Sequence, residues 1–255
     1  MLRSRVVVAL TAAVVFCVSA PATADVRLPP VDTDLDYQLG GAKAMPAHVG
    51  ILVRDRRAAA AESRYNVCYV NGFQTQPDER RFWKKRMPLV LKRGGRPVVD
   101  EAWGEWLLDL RTQAKRRALA RIVGRWTERC AADGFAGVEY DNLDSFTRSH
   151  GLLKRRHAIA FARLLVRRAH AADLAAGQKN LAGFDGSRIG FDFAVAEECG
   201  RYRECQRYVA SYGRRVLVIE YRKRDFRRAC RKHADELAIV LRDRDLTPGG
   251  VHRWC

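Results

Sequence analysis

Residues 136–144 read Ala136-Gly137-Val138-Glu139-Tyr140-Asp141-Asn142-Leu143-Asp144, a short β-branched and aromatic run that stops on acids. A run of this length bounded by polar residues reads as a strand. A charge placed directly after a buried run is costly unless it is paired or opens into a solvated cleft. The same pattern recurs on both sides. Short strand-like runs fall at 35–39, 49–53, 66–70, 106–110, 136–140, 174–178, 191–196, 216–221 and 237–241. Several are apolar on both faces, as strands buried beneath helices must be. Between them lie helical stripes. Thr112 caps one whose apolar positions are Leu119, Ile122, Val123, Trp126 and Cys130, and Ala158, Ala162, Leu165 and Ala169 mark the next. Strand–helix alternation means a parallel sheet covered by helices. Eight or nine strands in one domain point to a closed (β/α)8 TIM-like barrel, and no Gly-rich nucleotide loop follows any strand.

Residues 1–24 have the form of a secretory signal peptide. Arg3 and Arg5 give a positive start, 6–20 are apolar, and Ala22-Thr23-Ala24 supplies a small-residue cleavage pattern. Removing these 24 of the 255 residues leaves 25–255 as one barrel domain of ordinary size. The leader's apolar stretch is short for a membrane anchor and no later segment is apolar enough to span. The expectation is a secreted, extracellular monomer with no membrane partner once the leader is gone.

Six of the seven cysteines follow the leader: Cys68, Cys130, Cys199, Cys205, Cys230 and Cys255. An even count in an exported chain implies three disulfides. There is no C-x2-C pair and the six histidines show no ligand spacing, so neither metal nor other cofactor is expected. Of the 15 pairings that six cysteines allow, the expected set is Cys68–Cys130, Cys199–Cys205 and Cys230–Cys255. Only the middle pair is argued from closeness in sequence.

The chain is strongly basic, +18 overall and +16 without the two leader arginines. Such a charge fits either a polyanion partner or a solvated, arginine-rich surface. Arg116, Arg117, Arg121 and Arg125 on one helix, and Arg155, Arg156, Arg163, Arg167 and Arg168 on the next, favour the second. No nucleic-acid partner is expected.

In a barrel of this kind the active site is built at the C-terminal ends of the strands. Reading each run to its end collects Asp36, Asn71, Asp109, Asp141, Asn142, Asp144, Lys179, Asn180, Glu197, Glu198, Glu220 and Tyr221. Tyr37, Tyr69, Phe73, Trp103, Trp106, Tyr140 and Tyr221 add aromatic faces on which sugars stack. Such a cleft suits glycoside hydrolysis, which needs one carboxylate to attack or activate water and a second, protonated carboxyl to assist the leaving oxygen. Singly, each residue has a plainer role. An Asp-Asn after a strand is commonly a turn, Asp144 a helix cap, and Glu220 an ion-pair partner for Lys179. The cluster Asp141, Asn142 and Asp144 lacks the spacing of a calcium loop.

Taken in order, these segments resemble glycoside hydrolase family 114, the endo-α-1,4-polygalactosaminidase type. The resemblance is carried by Asp36-Tyr37-Gln38-Leu39, Cys68-Tyr69-Val70-Asn71-Gly72, Trp103-Gly104-Glu105-Trp106-Leu107-Leu108-Asp109-Leu110-Arg111 and Gly137 to Asp144. It continues through Gly177-Gln178-Lys179-Asn180, Asp192 to Cys199 and Val218-Ile219-Glu220-Tyr221. It implies a barrel that hydrolyses α-linked galactosamine-containing polysaccharide with retention. It also implies Asp141 as nucleophile, Glu197 as acid/base with Glu198 its rival, and Asp109, Asn142, Asp144, Lys179, Asn180 and Glu220 along the sugar subsites. Together with the strand-end reading, the expected substrate-binding set also takes in Asp36, Tyr69, Asn71, Trp106, Glu198 and Tyr221. Tyr140 departs from the family, where a proline is common before the Asp-Asn. Polygalactosamine is itself cationic, so a +16 protein repels it at long range unless the acidic strand ends make a locally negative cleft. A non-catalytic glycan-binding barrel is the alternative, ahead of a polyanion binder.

Overall fold

The computed structural model describes residues 26–255; the expected leader and its cleavage point before Asp25 lie outside them. Eight parallel strands follow one another round the sheet in chain order. They are β1 (Asp34–Gln38), β2 (Val49–Asp55), β3 (Tyr65–Asn71), β4 (Gly137–Asp141), β5 (Ala175–Lys179), β6 (Phe193–Glu197), β7 (Val216–Glu220) and β8 (Ala238–Arg242). A ninth, β9 (His252–Trp254), runs antiparallel on β8. The result is a nearly closed TIM-like barrel. Its seam, between β8 and β1, is tied by side chains. Arg242 donates to the Tyr37 carbonyl and to Asp36 Oδ1 (3.2 Å), and Trp254 Nε1 donates to the Leu35 carbonyl at 2.7 Å.

Strand side chains alternate between faces, and that period sorts the barrel. Leu35, Ile51, Val67, Phe193, Leu217 and Val240 fill the interior. Gly177 is required there, because a Cβ would stand 2.6 Å from the Phe193 ring. Cys68, Val70, Val138, Ala176, Ala194 and Val218 face outward into a second core beneath the helices. That core is covered by α2 (Gln113–Ala132), α3 (Arg155–His170), α5 (Cys205–Tyr212) and α6 (Lys223–His233), with the short α1 (Arg80–Lys84) and α4 (Cys199–Tyr202) at the strand ends. The apolar stripes read from sequence are the buried faces of α2 and α3, and Thr112 caps α2 by accepting from the Lys115 amide.

Two features depart from a regular (β/α)8 pattern. The connections at 39–48 and 56–64 carry no helix. The stretch after β8 packs over part of that wall instead, so close that a Cβ on Gly40 would lie 2.5 Å from the Asp245 carbonyl. The second departure corrects the sequence reading: 106–110 is not a barrel strand. Only Glu105–Trp106 is strand, paired antiparallel with Val99–Asp100, while Leu107 and Leu108 bridge to Gln74 and Val90. Leu107, Leu108 and Leu110, with Trp83, Leu91 and Val98 of the same long β3–α2 excursion, are buried in the outer core that the helices cover. An apolar extended run looks the same whichever core it enters, and barrel closure is complete without this one.

Three disulfides join Cys68 to Cys130, Cys199 to Cys205 and Cys230 to Cys255. The first ties β3 to α2, and the last ties α6 to the chain end beside β9. No helix among the described residues is long and apolar enough to cross a membrane.

Candidate active site

At the C-terminal mouth, the inward-facing parity brings one set of polar side chains together. Glu139 and Asp141 come from β4, Lys179 from β5, Glu197 from β6, Tyr37 from β1 and Tyr69 from β3, with Tyr221 just past β7. Lys179 is the hub, buried at 2% exposure. Its Nζ donates to Tyr37 Oη at 2.7 Å and lies 3.4 Å from Asp141 Oδ1, 3.4 Å from Glu197 Oε2 and 3.5 Å from Glu139 Oε1. Burial works against its charge. The carboxylates of Asp141, Glu139 and Glu197 outweigh that and hold the ammonium well above its ordinary range.

Each of the two mouth carboxylates has further donors. Asp141 accepts from Tyr69 Oη (2.8 Å) and from the Asn142 amide (2.7 Å). Glu197 accepts from Tyr221 Oη and from Asn180 Nδ2 (3.2 Å), while its own amide donates to Asn180 Oδ1. Burial, reinforced by the neighbouring carboxylates, pushes the Tyr37, Tyr69 and Tyr221 hydroxyls well up, so all three stay protonated donors. Beneath them Glu139 is fully buried and accepts from Tyr37. Burial raises its carboxyl to about 7, against the pull of Lys179 and Tyr37.

The chain turns sharply after each of the three central strands. Asn142, Asn180 and Glu198, the residues following β4, β5 and β6, have φ of 67°, 52° and 56°. Asn tolerates this left-handed region because its short amide bonds locally. Glu does so only when the surroundings insist, and strain of this kind gathers at functional sites. Glu198 is held by Arg201 (2.8 Å) and Arg244 (3.3 Å). Glu197 therefore ends its strand facing the mouth, and Glu198 begins the turn into α4.

Of the remaining sequence candidates, Asn71, Asn142 and Asn180 line the cluster. Asn142 Nδ2 bridges Asn71 Oδ1 (3.1 Å) and Glu105 Oε2 (3.3 Å). Asp144 sits at the rim, shared through Arg148 with Asp100. Trp106 lies under the Arg80 guanidinium, 4.0 Å from its ring centre. Asp36, Asp109 and Glu220 lie elsewhere. Asp36 is buried in the seam with Arg242 and His252. Asp109 ties Arg111 and Lys115 at the start of α2. Burial opposes its ionisation, but those bonds prevail and hold its carboxyl at about 2. Glu220 faces outward under α4, accepts from the Gly200 amide at 2.6 Å, and is raised by burial to about 7.

Glu139 and Glu105 join the site without having stood among the expected catalytic or substrate-binding residues, and Tyr37, expected only as an aromatic face for sugars, serves as a hydrogen-bond partner of Glu139 and Lys179. Glu139 was legible, since it precedes Asp141 by two and so shares its face. Glu105 carries no such signal, because it reaches the mouth from the β3–α2 excursion. No group of three or more His, Cys, Asp or Glu side chains among the described residues is arranged to hold a metal ion.

The model of glycoside-hydrolase family GH114 matches residues 18–255. The crystal structure of Aspergillus fumigatus Ega3 in complex with galactosamine is similar in fold, with a TM-score of 0.72 at 21% identity, covering 90% of this chain and 97% of that one. The glycoside hydrolase domain of PelA from Pseudomonas aeruginosa gives 0.62 at 15% identity, covering 86% and 97%. No curated protein matches. At these identities the structural likeness establishes the fold, and the family match covers the barrel from end to end.

Proposed function

From the premise that the chain belongs to glycoside-hydrolase family GH114, and is a glycosidase, we propose that it cleaves α-linked galactosamine-containing polysaccharide outside the cell, with retention at the anomeric carbon. Asp141 is the nucleophile and Glu197 the acid/base. The observation that carries this reading is the shared ammonium: Lys179 Nζ stands 3.4 Å from Asp141 and 3.4 Å from Glu197. Two oxygens that each lie 3.4 Å from one nitrogen are at most 6.8 Å apart, which accommodates the roughly 5–5.5 Å of retention and leaves out most of the wider range that admits a water.

In the first step Asp141 Oδ attacks the anomeric carbon while Glu197 delivers its proton to the departing glycosidic oxygen. The bond to the leaving sugar breaks as the glycosyl–Asp141 ester forms. Glu197, now ionised, takes a proton from a water whose oxygen attacks the same carbon. The ester breaks, Asp141 leaves as carboxylate and Glu197 is protonated again. Tyr69 and the Asn142 amide fix the attacking carboxylate, and Tyr221 and Asn180 fix the acid. Lys179 neutralises the charge that passes between them. Asn71, Asn142, Asn180 and Tyr221 are the substrate contacts we place nearest the cut. Export accords with three disulfides, which persist in oxidising compartments.

The acids of the mouth answer the charge problem. Glu139, Asp141 and Glu197 gather around one buried lysine, so a cationic chain meets a local field opposite to the net +16 of the chain without its leader. The test is mass spectrometry of products from partially acetylated polygalactosamine, with Asp141→Asn protein as control. Oligosaccharides from the wild type alone are expected. Equal products from both proteins would remove Asp141 from its role.

A further inference from the structure

The chain runs from Tyr221 at the mouth straight into α6, and 222–232 reads Arg-Lys-Arg-Asp-Phe-Arg-Arg-Ala-Cys-Arg-Lys, with Asp225 its one acid. Asp225 is buried and takes Arg222, Arg224 and Arg228 at 2.9, 3.2 and 3.1 Å. Lys223, Arg227, Arg231 and Lys232 are exposed, and among the described residues no carboxylate lies within 4.0 Å of their charges. Lys223, Arg227 and Arg231 stand four positions apart, a single row with a charge about every 6 Å along the helix. Like charges so spaced weaken a helix, and bases in its first turn oppose its macrodipole. The stability of α6 therefore does not account for them.

We infer that the outer face of α6, with Arg203 and Arg207, is a docking surface for an acidic polysaccharide that carries carboxylates along its chain. Arg203, Arg228 and Lys232 line one cavity of about 270 Å³ between α6 and the α4–α5 turn, beside the Cys199–Cys205 disulfide. Arg203 and the nearby Arg207 are exposed, again with no carboxylate within 4.0 Å among the described residues. Arg203 holds φ of 58°, a left-handed conformation that a side chain keeps only where its surroundings impose it. The acids close by are occupied: Glu220 accepts from the Gly200 amide beneath α4, and Glu236 pairs with His233 at 2.7 Å. Arginine outnumbers lysine here, and a guanidinium grips a carboxylate through two parallel bonds. The row's repeat is close to the length of one sugar unit. A nucleic acid fits less well. The inner side of α6 is packed on the barrel through Phe226 and Ala229, so the helix cannot enter a groove, and the exposed ring next to Arg203, Tyr202, already lies under Arg201. The surface lies on the outer wall, so a bound polymer leaves the mouth open. This docking does not depend on the proposed cleavage reaction.

The experiment measures calorimetric binding of oligogalacturonate, of an uncharged galactan of equal length, and of duplex DNA. It uses the wild type and two triple variants that lose equal charge. One replaces Arg227, Arg231 and Lys232 with Gln, and the other replaces Arg117, Arg121 and Arg125, an exposed row on α2. The wild type should bind oligogalacturonate and not galactan, more weakly as salt rises. The α6 variant should lose about tenfold or more in affinity and show a flatter salt dependence, because three ion contacts are gone. The α2 variant should stay within twofold of wild type. Equal losses in the two variants would mean attraction to net charge alone and overturn the inference, as would an α6 variant that binds like wild type. Tighter binding of DNA than of oligogalacturonate at the same salt would overturn the choice of partner. All of these side chains are exposed, so unchanged melting temperatures are expected, and cleavage by the α6 variant should match the wild type.

Discussion

The ammonium of Lys179 lies 3.5 Å from the carboxylate of Glu139, and neither side chain is more than 2% exposed. This pair forms the floor on which Asp141 and Glu197 stand. Lys179 therefore serves two purposes, setting the charge of the mouth above and compensating the buried acid below.

Lys179→Met removes both. Loss of a preorganised charge at the reacting centre costs on the order of 10²–10³ in kcat, and Glu139 is left without its cation, which typically destabilises by about 3–5 kcal/mol. The two effects separate in the double variant. Lys179→Met with Glu139→Gln regains melting temperature, because no buried charge is stranded, but it does not regain kcat. Recovery of activity in the double variant would show that the lysine acts on the fold alone.

Stability falls as pH rises from about 4.5 to 7. Glu105, Glu139 and Glu220 have their carboxyls raised from 4.5 to about 7, chiefly by burial. Between those values the unfolded chain has lost protons that the folded chain still holds, so each rise in pH favours unfolding, by up to about 1.4 kcal/mol per proton per pH unit. Asp109, held at about 2, acts in the opposite direction: its contribution is present above about 3.8 and is lost as pH falls through 2. Urea midpoints measured from pH 3 to 8 should peak near pH 4–5. Glu220→Gln should flatten the decline above the peak. A midpoint that climbs steadily to pH 8 would contradict this.

The alternation of inward and outward side chains also explains what the sequence does and does not disclose. Helix stripes, strand order and the acid at each strand end are local patterns, and they carry the barrel and the pair Asp141 and Glu197. Which strand-end acid faces the mouth depends on register. Glu197 and Glu198 differ by one position, yet Glu197 ends its strand beside Lys179 while Glu198, in the turn that follows, pairs with Arg201 and Arg244. Asp36, Asp109 and Glu220 end apolar runs as convincingly as Asp141 does, yet their partners are Arg242, Arg111 with Lys115, and the Gly200 amide. Glu105 and the 106–110 run depend on how the β3–α2 excursion folds back, a long-range matter with no period to betray it.

The seam makes a testable claim about Asp36. It is wholly buried, accepts from Arg242 and Gln38, and lies 3.0 Å from His252 Nδ1. Arg242→Met strands that carboxylate and should cost about 3–5 kcal/mol, while adding Asp36→Asn returns part of it. Thermal unfolding of the three variants measures the coupling. A raised KM in Asp36→Asn at unchanged stability would instead make Asp36 a substrate contact.

Closure of the barrel also rests on the chain end. Cys255 follows β9 directly and is bonded to Cys230 in α6, 25 positions away. A cross-link of that length contributes about 3 kcal/mol by restricting the unfolded chain. It also holds in place the strand whose Trp254 and His252 reach Leu35 and Asp36 across the seam. Cys255→Ser should therefore lower the melting temperature and raise amide hydrogen exchange in β1, β8 and β9 ahead of β4 to β6. Helix α2, tied to β3 by Cys68–Cys130, and α3, which packs against α2, should keep their protection. Uniform loss of protection over the whole barrel would mean that the disulfide acts on global stability and does not specifically clasp the seam.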